Sequence, residues 1–237
     1  TDRVGVVELD NKGNEIILNG NQIASLIIHY IITQKIKDKS LQKNSYVAKT
    51  IVTTPLIDRI CMKYSVSCYS TLTGFKNIAK LIRDKKNEQF IAGGEESFGY
   101  LVGDFVRDKD AVISSAIMCE ISNFSQKKGM NLSQYLNKIY ETFGYYREEL
   151  LSITFKGIEG KKKIDDIMKD YISNPPKSIF SKKIISFINY NKKNKDNIIK
   201  TKSNVLQFKT NENYILTLRP SGTEPKIKFY FSVNCNN

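Results

Sequence analysis

The chain has 237 residues, of which 41% are hydrophobic and 26% charged. This composition is that of a globular protein and excludes disorder along the whole length, and at about 100 to 200 residues per domain the length predicts two domains. The net charge of +13 would suit nucleic-acid binding, but most of the excess is lysine in the polar stretches 161–170 and 189–204, which are typical of solvated faces and loops. We therefore expect no nucleic-acid partner, and a basic nucleic-acid-binding module remains a remote alternative.

The first half of the chain alternates helices with strands. The first predicted helix begins at Gln22. Four more helices are predicted, over 55–64, 75–86, about 110–127 and about 132–142. The predicted strands cover 45–55, 65–71 and 88–92. This alternation predicts an α/β domain with a doubly wound mixed sheet, in which ligands bind at loops beyond the carboxyl ends of the strands.

The pattern changes near Gly144. A strand over 149–157 precedes a helix over 159–173, which Pro175 ends. Further strands are predicted over 182–190, 204–210, 214–220 and 226–233, with a tight turn at 211–213. These elements predict a smaller α+β domain with an antiparallel sheet. We divide the chain into a tail over 1–18, an α/β domain over 19–145 and an α+β domain over 146–237.

The cysteines and the single histidine show no metal-binding or disulfide pattern. The four cysteines, which have no CxxC spacing, are Cys61, Cys68, Cys119 and Cys235. Reduced, mostly buried cysteines are typical of a cytoplasmic protein. His29 lies in the longest apolar run, 23–32, which is too short to span a bilayer. We expect no membrane partner, and we expect His29 to be a packed or surface residue and not a catalyst.

Two loops carry candidate binding residues. In "RPSGTEP", Arg219 offers a planar fork of donors, Ser221 and Thr223 offer hydroxyls, and Gly222 allows close approach of the backbone. This donor set suits a phosphate. The alternative is an ordinary polar hairpin loop, because proline, serine and glycine all favour turns.

The second loop, "AGGEESFG", holds adjacent carboxylates between glycines. Such a pair would suit a metal or a glycosidase dyad, which needs carboxyl groups roughly 5 to 9.5 Å apart. Adjacent residues in extended backbone point in opposite directions, so Glu95 and Glu96 are not expected to share one site. We expect one to face a ligand and the other to pair with Arg107 or Lys109. An acidic surface loop that offsets these two bases is the alternative.

Together these segments resemble the α-D-phosphohexomutases, and within them the branch of phosphoglucomutases and phosphopentomutase-like enzymes. The resemblance extends over the whole chain but only over the back half of such an enzyme. It implies that "TDRVGV" is the tail of the magnesium loop of a preceding domain, with Asp2 as its last aspartate. It implies that the α/β domain is the third of four domains and that the α+β domain is the fourth. Because the chain starts within that loop and without Met, we expect a fragment of a longer protein.

The resemblance also implies roles for individual residues. Glu95 and Ser97 would grip two sugar hydroxyls. Lys76, Arg107 and Lys109 would be catalytic residues that line the cleft. The residues that hold the substrate phosphate would be Arg219, Ser221, Gly222 and Thr223. The reaction implied is transfer of a phosphoryl group between a serine, absent from this chain, and a sugar 1- or 6-phosphate through a sugar 1,6-bisphosphate, with magnesium polarising the group in flight.

The sequence departs from the bacterial phosphomannomutase branch at two positions. That branch has histidine in the third-domain turn and in the sugar loop, where this chain has Phe75, which precedes Lys76, and Phe98. We therefore expect glucose phosphate as the phosphosugar substrate, with phosphomannomutase or phosphopentomutase as alternatives. The missing N-terminal domains of the same enzyme are the expected protein partner, and the fragment alone is expected to be inactive.

Overall fold

A computed structural model describes residues 2–10, 12–192, 202–222 and 224–235 of the chain. The described residues fall into two compact units, one ending at Tyr145 and the other beginning at Tyr146. Thr223, one of the predicted phosphate-binding residues, lies outside the described residues. Among the described residues, none of the helices combines the length and the apolarity that crossing a membrane requires.

The first unit opens with a hairpin and continues as alternating helices and strands. The hairpin pairs β1 (Val6–Leu9) with β2 (Glu15–Leu18) in antiparallel register. The helices are α1 (Gly20–Lys37), α2 (Leu56–Lys63), α3 (Phe75–Asp84), α4 (Ala111–Gln126) and α5 (Leu132–Phe143). The strands are β3 (Ser45–Thr50), β4 (Ser67–Thr71), β5 (Gln89–Gly94) and β6 (Tyr100–Val102).

The four later strands form one mixed sheet in the order β4-β3-β5-β6. β3 is parallel to both β4 and β5, and β6 is antiparallel to β5. The predicted α/β class with a mixed sheet is therefore confirmed, although the pattern did not predict β6, which has only three residues. The predicted strand over 45–55 stops at Thr50, because the hydroxyl of Thr53 turns back to the backbone N–H of Thr50.

Helices cover both faces of this sheet. On one face α3 packs against β3, β4 and β5, and its buried side chains contact strand residues in the cluster Tyr46, Ala48, Phe75, Ile78, Ile82, Phe90 and Leu101. On the other face α1 packs against β5 and contacts α2, α4 and α5. α1 begins at a capping box in which Asn19 and Gln22 exchange side-chain and backbone hydrogen bonds. The carboxyl ends of β3 and β5 therefore open at one edge of a sheet that is packed on both sides.

Over its described residues, the second unit is a six-stranded sheet with one helix. Its strands are β7 (Tyr145–Thr154), β8 (Ser178–Ile179), β9 (Lys182–Asn189), β10 (Leu206–Thr210), β11 (Ile215–Pro220) and β12 (Lys226–Cys235), and the helix is α6 (Gly157–Ser173). The strand order is β7-β12-β11-β10-β9-β8, and neighbours from β8 to β12 pair antiparallel. Ile164 and Met168 of α6 pack into the core with Phe208 and Leu218. The predicted α+β architecture with an antiparallel sheet is confirmed.

The N-terminal hairpin is anchored to the first unit by one carboxylate. Glu8 accepts hydrogen bonds from the backbone N–H groups of Leu132 and Ser133 at 2.8 and 2.7 Å. These N–H groups belong to the first turn of α5, where helical partners are lacking and the helix dipole favours negative charge. The predicted tail over 1–18 is thus attached to the first unit, because Glu8 caps the N-terminus of α5.

Replacing Glu8 with alanine should lower the free energy of unfolding by about 1 to 2 kcal/mol, because two helix N–H groups lose their acceptor. Urea denaturation followed by circular dichroism measures this change. Glu15→Ala is the matched control, since Glu15 lies on the same hairpin and is exposed. Equal stability of the two variants would contradict the anchoring role of Glu8.

Candidate functional site

The acidic loop follows β5 at the carboxyl edge of the parallel strands. Glu95 is 6% exposed, and its Oε1 accepts a hydrogen bond of 2.8 Å from the backbone N–H of Gly74. Gly74 caps the start of α3 with φ of 99°, a conformation that favours glycine. The buried charge of Glu95 is therefore stabilised by the N-terminus of α3. Sequence reasoning placed Glu95 beside a ligand and did not predict this contact.

The neighbouring carboxylate has a different partner. Glu96 Oε2 accepts a hydrogen bond of 3.3 Å from the hydroxyl of Thr50, at the end of β3. Glu95 and Glu96 are thus directed at different elements, as predicted, although Glu96 lies in a turn between β5 and β6 and not in extended backbone. Lys109, one of the two bases proposed to pair with this loop, forms its ion pair with Asp2.

The start of α1 supports the backbone of the loop. A Cβ on Gly20 would lie 1.8 Å from the carbonyl oxygen of Glu96, so no larger residue fits beneath the loop. The hydroxyl of Tyr100 donates to the carbonyl of Gly20 at 2.8 Å. Phe98 has φ of 70°, a left-handed conformation that is strained for a bulky residue. Sequence reasoning missed Gly20 and Thr50, because their role depends on contacts distant along the chain.

The predicted metal ligand and a predicted catalytic lysine form an ion pair. Lys109 Nζ lies 3.0 Å from Asp2 Oδ2, and the two side chains are 17% and 58% exposed. The hydrogen bond from Lys109 lowers the pKa of the Asp2 carboxyl. The backbone N–H of Val4 also donates to the carbonyl of Phe98. The N-terminal segment therefore lies against the acidic loop, whose Ser97 is partly exposed.

Two further predicted catalytic residues line one cleft of about 830 Å³. Lys76 belongs to the first turn of α3, and Arg107 to the irregular segment that follows β6. Both side chains are exposed, and neither forms an ion pair with another described residue. We call this cavity, which lies between α3 and residues 104–108, the α3 cleft. Lys109 is not among its lining residues.

The predicted phosphate loop joins β11 to β12 in the second unit. Arg219 lies directly opposite Lys228 in the antiparallel register, so the two cations share one face of the hairpin. The buried neighbours Leu218 and Ile227 belong to the core cluster, which places Arg219 and Lys228 on the opposite face. Like charges in this arrangement repel one another. An anion bound beside them would offset that repulsion.

The loop itself is short and open. The backbone N–H of Ser221 donates to the carbonyl of Lys226 at 2.7 Å. A Cβ on Gly222 would meet nothing within 4 Å, which leaves space beside the backbone. Lys226 Nζ lies 2.8 Å from a carboxylate oxygen of Glu224, and this hydrogen bond lowers the pKa of the exposed Glu224 carboxyl. Lys226 and Lys228 are two residues apart on the strand that follows the motif, so the sequence already indicated that they share one face. The prediction of the phosphate site did not include them.

The single histidine and the cysteines do not form a catalytic or metal-binding cluster among the described residues. His29 packs among aromatic rings, and its Nδ1 lies 2.8 Å from the hydroxyl of Tyr135. This confirms that His29 is a packed residue. The four cysteines are free, but only Cys61 is buried and Cys119 and Cys235 are exposed, so the prediction that most of them are buried is wrong. Within residues 2–10, 12–192, 202–222 and 224–235, no cluster of three or more histidine, cysteine or acidic side chains could hold a metal ion.

Comparisons with known proteins agree with the fold. The family model for phosphoglucomutase/phosphomannomutase, alpha/beta/alpha domain III, matches residues 19–143. A phosphoglucomutase from Staphylococcus aureus strain MSSA476 is 38% identical over 245 residues, which cover 100% of this chain and 44% of that protein. A phosphoglucomutase from Staphylococcus epidermidis is 37% identical with the same coverage. The chain thus spans less than half the length of these curated relatives.

Solved structures share the fold at low identity. Parafusin, a phosphoglucomutase from Paramecium, superimposes with a TM-score of 0.71 at 17% identity, over 99% of this chain and 39% of that one. The N-acetylphosphoglucosamine mutase of Aspergillus fumigatus superimposes with a TM-score of 0.53 at 14% identity, over 98% of this chain and 46% of that one. From the family match over residues 19–143 and the relatives that cover the whole chain, the protein belongs to the phosphoglucomutase/phosphomannomutase family and contains its α/β/α domain III.

Proposed function

We propose that this chain is the C-terminal half of a phosphohexomutase that interconverts the 1-phosphate and 6-phosphate of glucose. The observation that carries the proposal is the hairpin between β11 and β12, where Arg219 and Lys228 lie opposite each other beside Ser221. Two cations and a hydroxyl on one face form a site for a phosphate ester. Glucose is favoured because the staphylococcal relatives are phosphoglucomutases. Mannose and pentose phosphates are the alternatives within the family.

In this proposal the second unit holds the phosphate that is not reacting. The guanidinium of Arg219 binds two phosphate oxygens, and Lys228 and Ser221 contact the others. Gly222 and Thr223 follow Ser221 in the sequence, and in this proposal they contribute backbone and hydroxyl donors. These groups supply binding energy that is independent of which sugar carbon carries the phosphate.

The acidic loop of the first unit recognises the sugar. Glu95 uses one oxygen for Gly74, and a carboxylate has further acceptor sites for a sugar hydroxyl. Ser97 is partly exposed beside it and accepts or donates to a second hydroxyl. Two such contacts can hold the sugar in either of its two orientations. Glu96 has a supporting role through its bond to Thr50.

Catalysis in this proposal is phosphoryl transfer in two steps. The oxygen of the free sugar hydroxyl attacks the phosphorus of a phosphoserine, which releases serine and forms the sugar 1,6-bisphosphate. The serine oxygen then attacks the other phosphorus of the bisphosphate, which breaks the bond from that phosphorus to the sugar oxygen, releases the isomeric sugar monophosphate and restores phosphoserine. Lys76 and Arg107 stabilise the charge on the transferred group. Lys109 contributes to catalysis by positioning the N-terminal segment through Asp2.

The described residues do not make up a magnesium site by themselves. Asp2 supplies one carboxylate, and its oxygen faces the ammonium group of Lys109 at 3.0 Å, whereas Mg²⁺ requires about six oxygen ligands. Asp2 is therefore proposed as one ligand of a site that other segments complete.

The proposal places the phosphoserine in the part of the relatives that this chain does not span. An exposed apolar strip on the hairpin, formed by Val7, Leu9 and Ile17 at 58%, 61% and 72% exposure, is the surface that we assign to contact with those preceding domains. The free cysteines suit a cytoplasmic enzyme.

The first test is binding of glucose 6-phosphate by isothermal titration calorimetry. Arg219→Gln should weaken binding by about tenfold or more, because a bond between charged groups is lost. Arg147→Gln is the matched control, since Arg147 is exposed in the same unit. The chain alone should leave glucose 1-phosphate unconverted, which ³¹P NMR shows directly.

Three results would contradict the proposal. The first is equal binding by the Arg219 and Arg147 variants. The second is conversion of glucose 1-phosphate by the chain alone, which would place the phosphoryl donor within it. The third is salt-sensitive binding of nucleic acid that the Arg219 variant retains, which would favour the binding-module alternative.

A further inference from the structure

The α3 cleft has the size of a small-molecule site. Its volume of about 830 Å³ falls within the range of about 300 to 1,000 Å³ that ligand pockets occupy. Its floor is largely apolar: Tyr46 of β3 and Phe90 of β5 come from the sheet, Ile82 comes from α3, and all three are less than 5% exposed. Its walls are α3 on one side and the segment after β6 on the other. The shape therefore suits a ligand with a compact body.

The walls of the α3 cleft carry an excess of positive charge. Six cationic side chains but only three acidic ones line it. Two of the cations already have acidic partners, since Lys85 pairs with Glu88 and Arg83 with Asp84. Four others form no ion pair with any described residue, namely Lys76, Lys80, Lys86 and Arg107. Cations gathered in one cavity without acidic partners favour an anionic ligand.

A buried hydroxyl in the floor lacks a partner. The Tyr46 side chain is 0% exposed, and its hydroxyl forms no hydrogen bond within the described part of the chain. The ring is held by edge contacts with Tyr69 and Phe90, so the hydroxyl cannot easily turn away. Burial raises the pKa of Tyr46 to about 12, which keeps the proton on the oxygen at neutral pH. A buried donor without an acceptor is costly unless something supplies one.

The hydroxyl lies among the charged groups of the cleft. Its electrostatic neighbours are Glu88, Lys85, Arg107 and Asp104, and all four line the cavity. Glu88 is already engaged by Tyr69 at 2.9 Å and by Lys85. The missing acceptor and the unpaired cations therefore point to one occupant.

We propose that the α3 cleft binds a small organic phosphate monoester, whose phosphate accepts from the Tyr46 hydroxyl and is neutralised by Lys80 and Lys86. The organic body packs against Phe90 and Ile82. A dianionic phosphate suits the charge excess, and a metal ion does not, because cations outnumber acids. The residues that line the α3 cleft all belong to the first unit, whereas the hairpin phosphate loop belongs to the second. A phosphorylated effector and the phosphosugar itself share this chemistry, and the test distinguishes them.

The test uses ¹H–¹⁵N spectra of the 237-residue chain, titrated with glucose 6-phosphate and, in parallel, with adenosine monophosphate. Amides of residues 80–90 report on the α3 cleft, and amides of Ser221 and Lys226 report on the hairpin. We expect residues 80–90 to shift with a saturating dissociation constant for at least one compound. Saturation with adenosine monophosphate alone identifies an effector site, and saturation with glucose 6-phosphate identifies a second site for the phosphosugar.

Two variants test the assigned groups. Lys80→Gln combined with Lys86→Gln should weaken binding at the cleft about tenfold, and Tyr46→Phe should weaken it severalfold. Tyr46→Phe should unfold at the same temperature or higher, which separates lost binding from lost folding. The paired control Lys161→Gln with Lys162→Gln removes the same charge from exposed positions on α6 and should leave binding unchanged.

Failure of this proposal differs from failure of the proposed function. Shifts confined to the hairpin, lost with Arg219→Gln and retained with the Lys80 and Lys86 variant, would overturn the cleft site and support the proposed function. Shifts at residues 80–90 that survive Arg219→Gln support the cleft site whatever happens at the hairpin. Equal affinity in Tyr46→Phe and in both double-lysine variants would overturn the assignment of these groups.

Discussion

Gly20→Ala should lower the free energy of unfolding by about 3 kcal/mol, the upper part of the range for an overpacked site. The new Cβ would lie 1.8 Å from the carbonyl oxygen of Glu96 and 2.6 Å from its carbon. Both are backbone atoms, so no side-chain rotation relieves the overlap. Since Gly20 is the first residue of α1, intrinsic helix propensity alone would favour alanine by about 1 kcal/mol. The expected loss of stability is therefore opposite in sign to the effect of helix propensity.

Urea denaturation measures the loss, with Gly5→Ala as control because a Cβ on Gly5 would meet nothing within 4 Å. The same overlap should displace the acidic loop and weaken binding of glucose 6-phosphate. An alanine variant as stable as the parent would show that the loop does not rest on the start of α1.

The stability of the first unit should fall as the pH drops from about 6.5 to about 4. Burial, with a smaller effect from Lys128, lowers the pKa of His29 from 6.5 to about 4. Above pH 6.5 both folded and unfolded states hold a neutral imidazole. Below it the unfolded chain takes up a proton that the folded protein does not, so stability is lost with decreasing pH. The loss amounts to about 3 kcal/mol at most, at about 1.4 kcal/mol per pH unit.

The measurement is the midpoint of urea unfolding at several pH values, compared with His29→Gln. Glutamine does not titrate and can still bond to the hydroxyl of Tyr135, which lies 2.8 Å from the histidine nitrogen. The variant should show a shallower pH dependence between pH 6.5 and 4. Parallel pH profiles would mean that His29 is protonated in the folded protein.

Local pattern was sufficient for most elements of the fold. Residues such as Ile78 and Ile82 recur at helical spacing, and α3 forms where that spacing predicts it. The α/β and α+β classes followed from the order of such elements. The short strands β1, β2, β6 and β8 were not predicted, because two to four residues carry too little periodicity.

For the candidate site, too, some features could be predicted from the sequence and others could not. The sequence by itself determined which residue types are present: glutamates and a serine between glycines, an arginine before Ser-Gly-Thr, and a histidine in an apolar run. It thereby predicted a sugar loop and a phosphate loop in one family. It did not determine that Gly74 binds Glu95, that Lys109 binds Asp2, or that Lys228 lies opposite Arg219.

Only the tertiary structure decided those pairings. Each joins residues that are far apart along the chain or depends on strand register, and register is set by the whole sheet. The same holds for the α3 cleft, whose unpaired Tyr46 hydroxyl and free cations come from β3, from α3 with the residues after it, and from the segment after β6. Side-chain periodicity reports which face a residue occupies, whereas contacts between elements depend on how their surfaces pack.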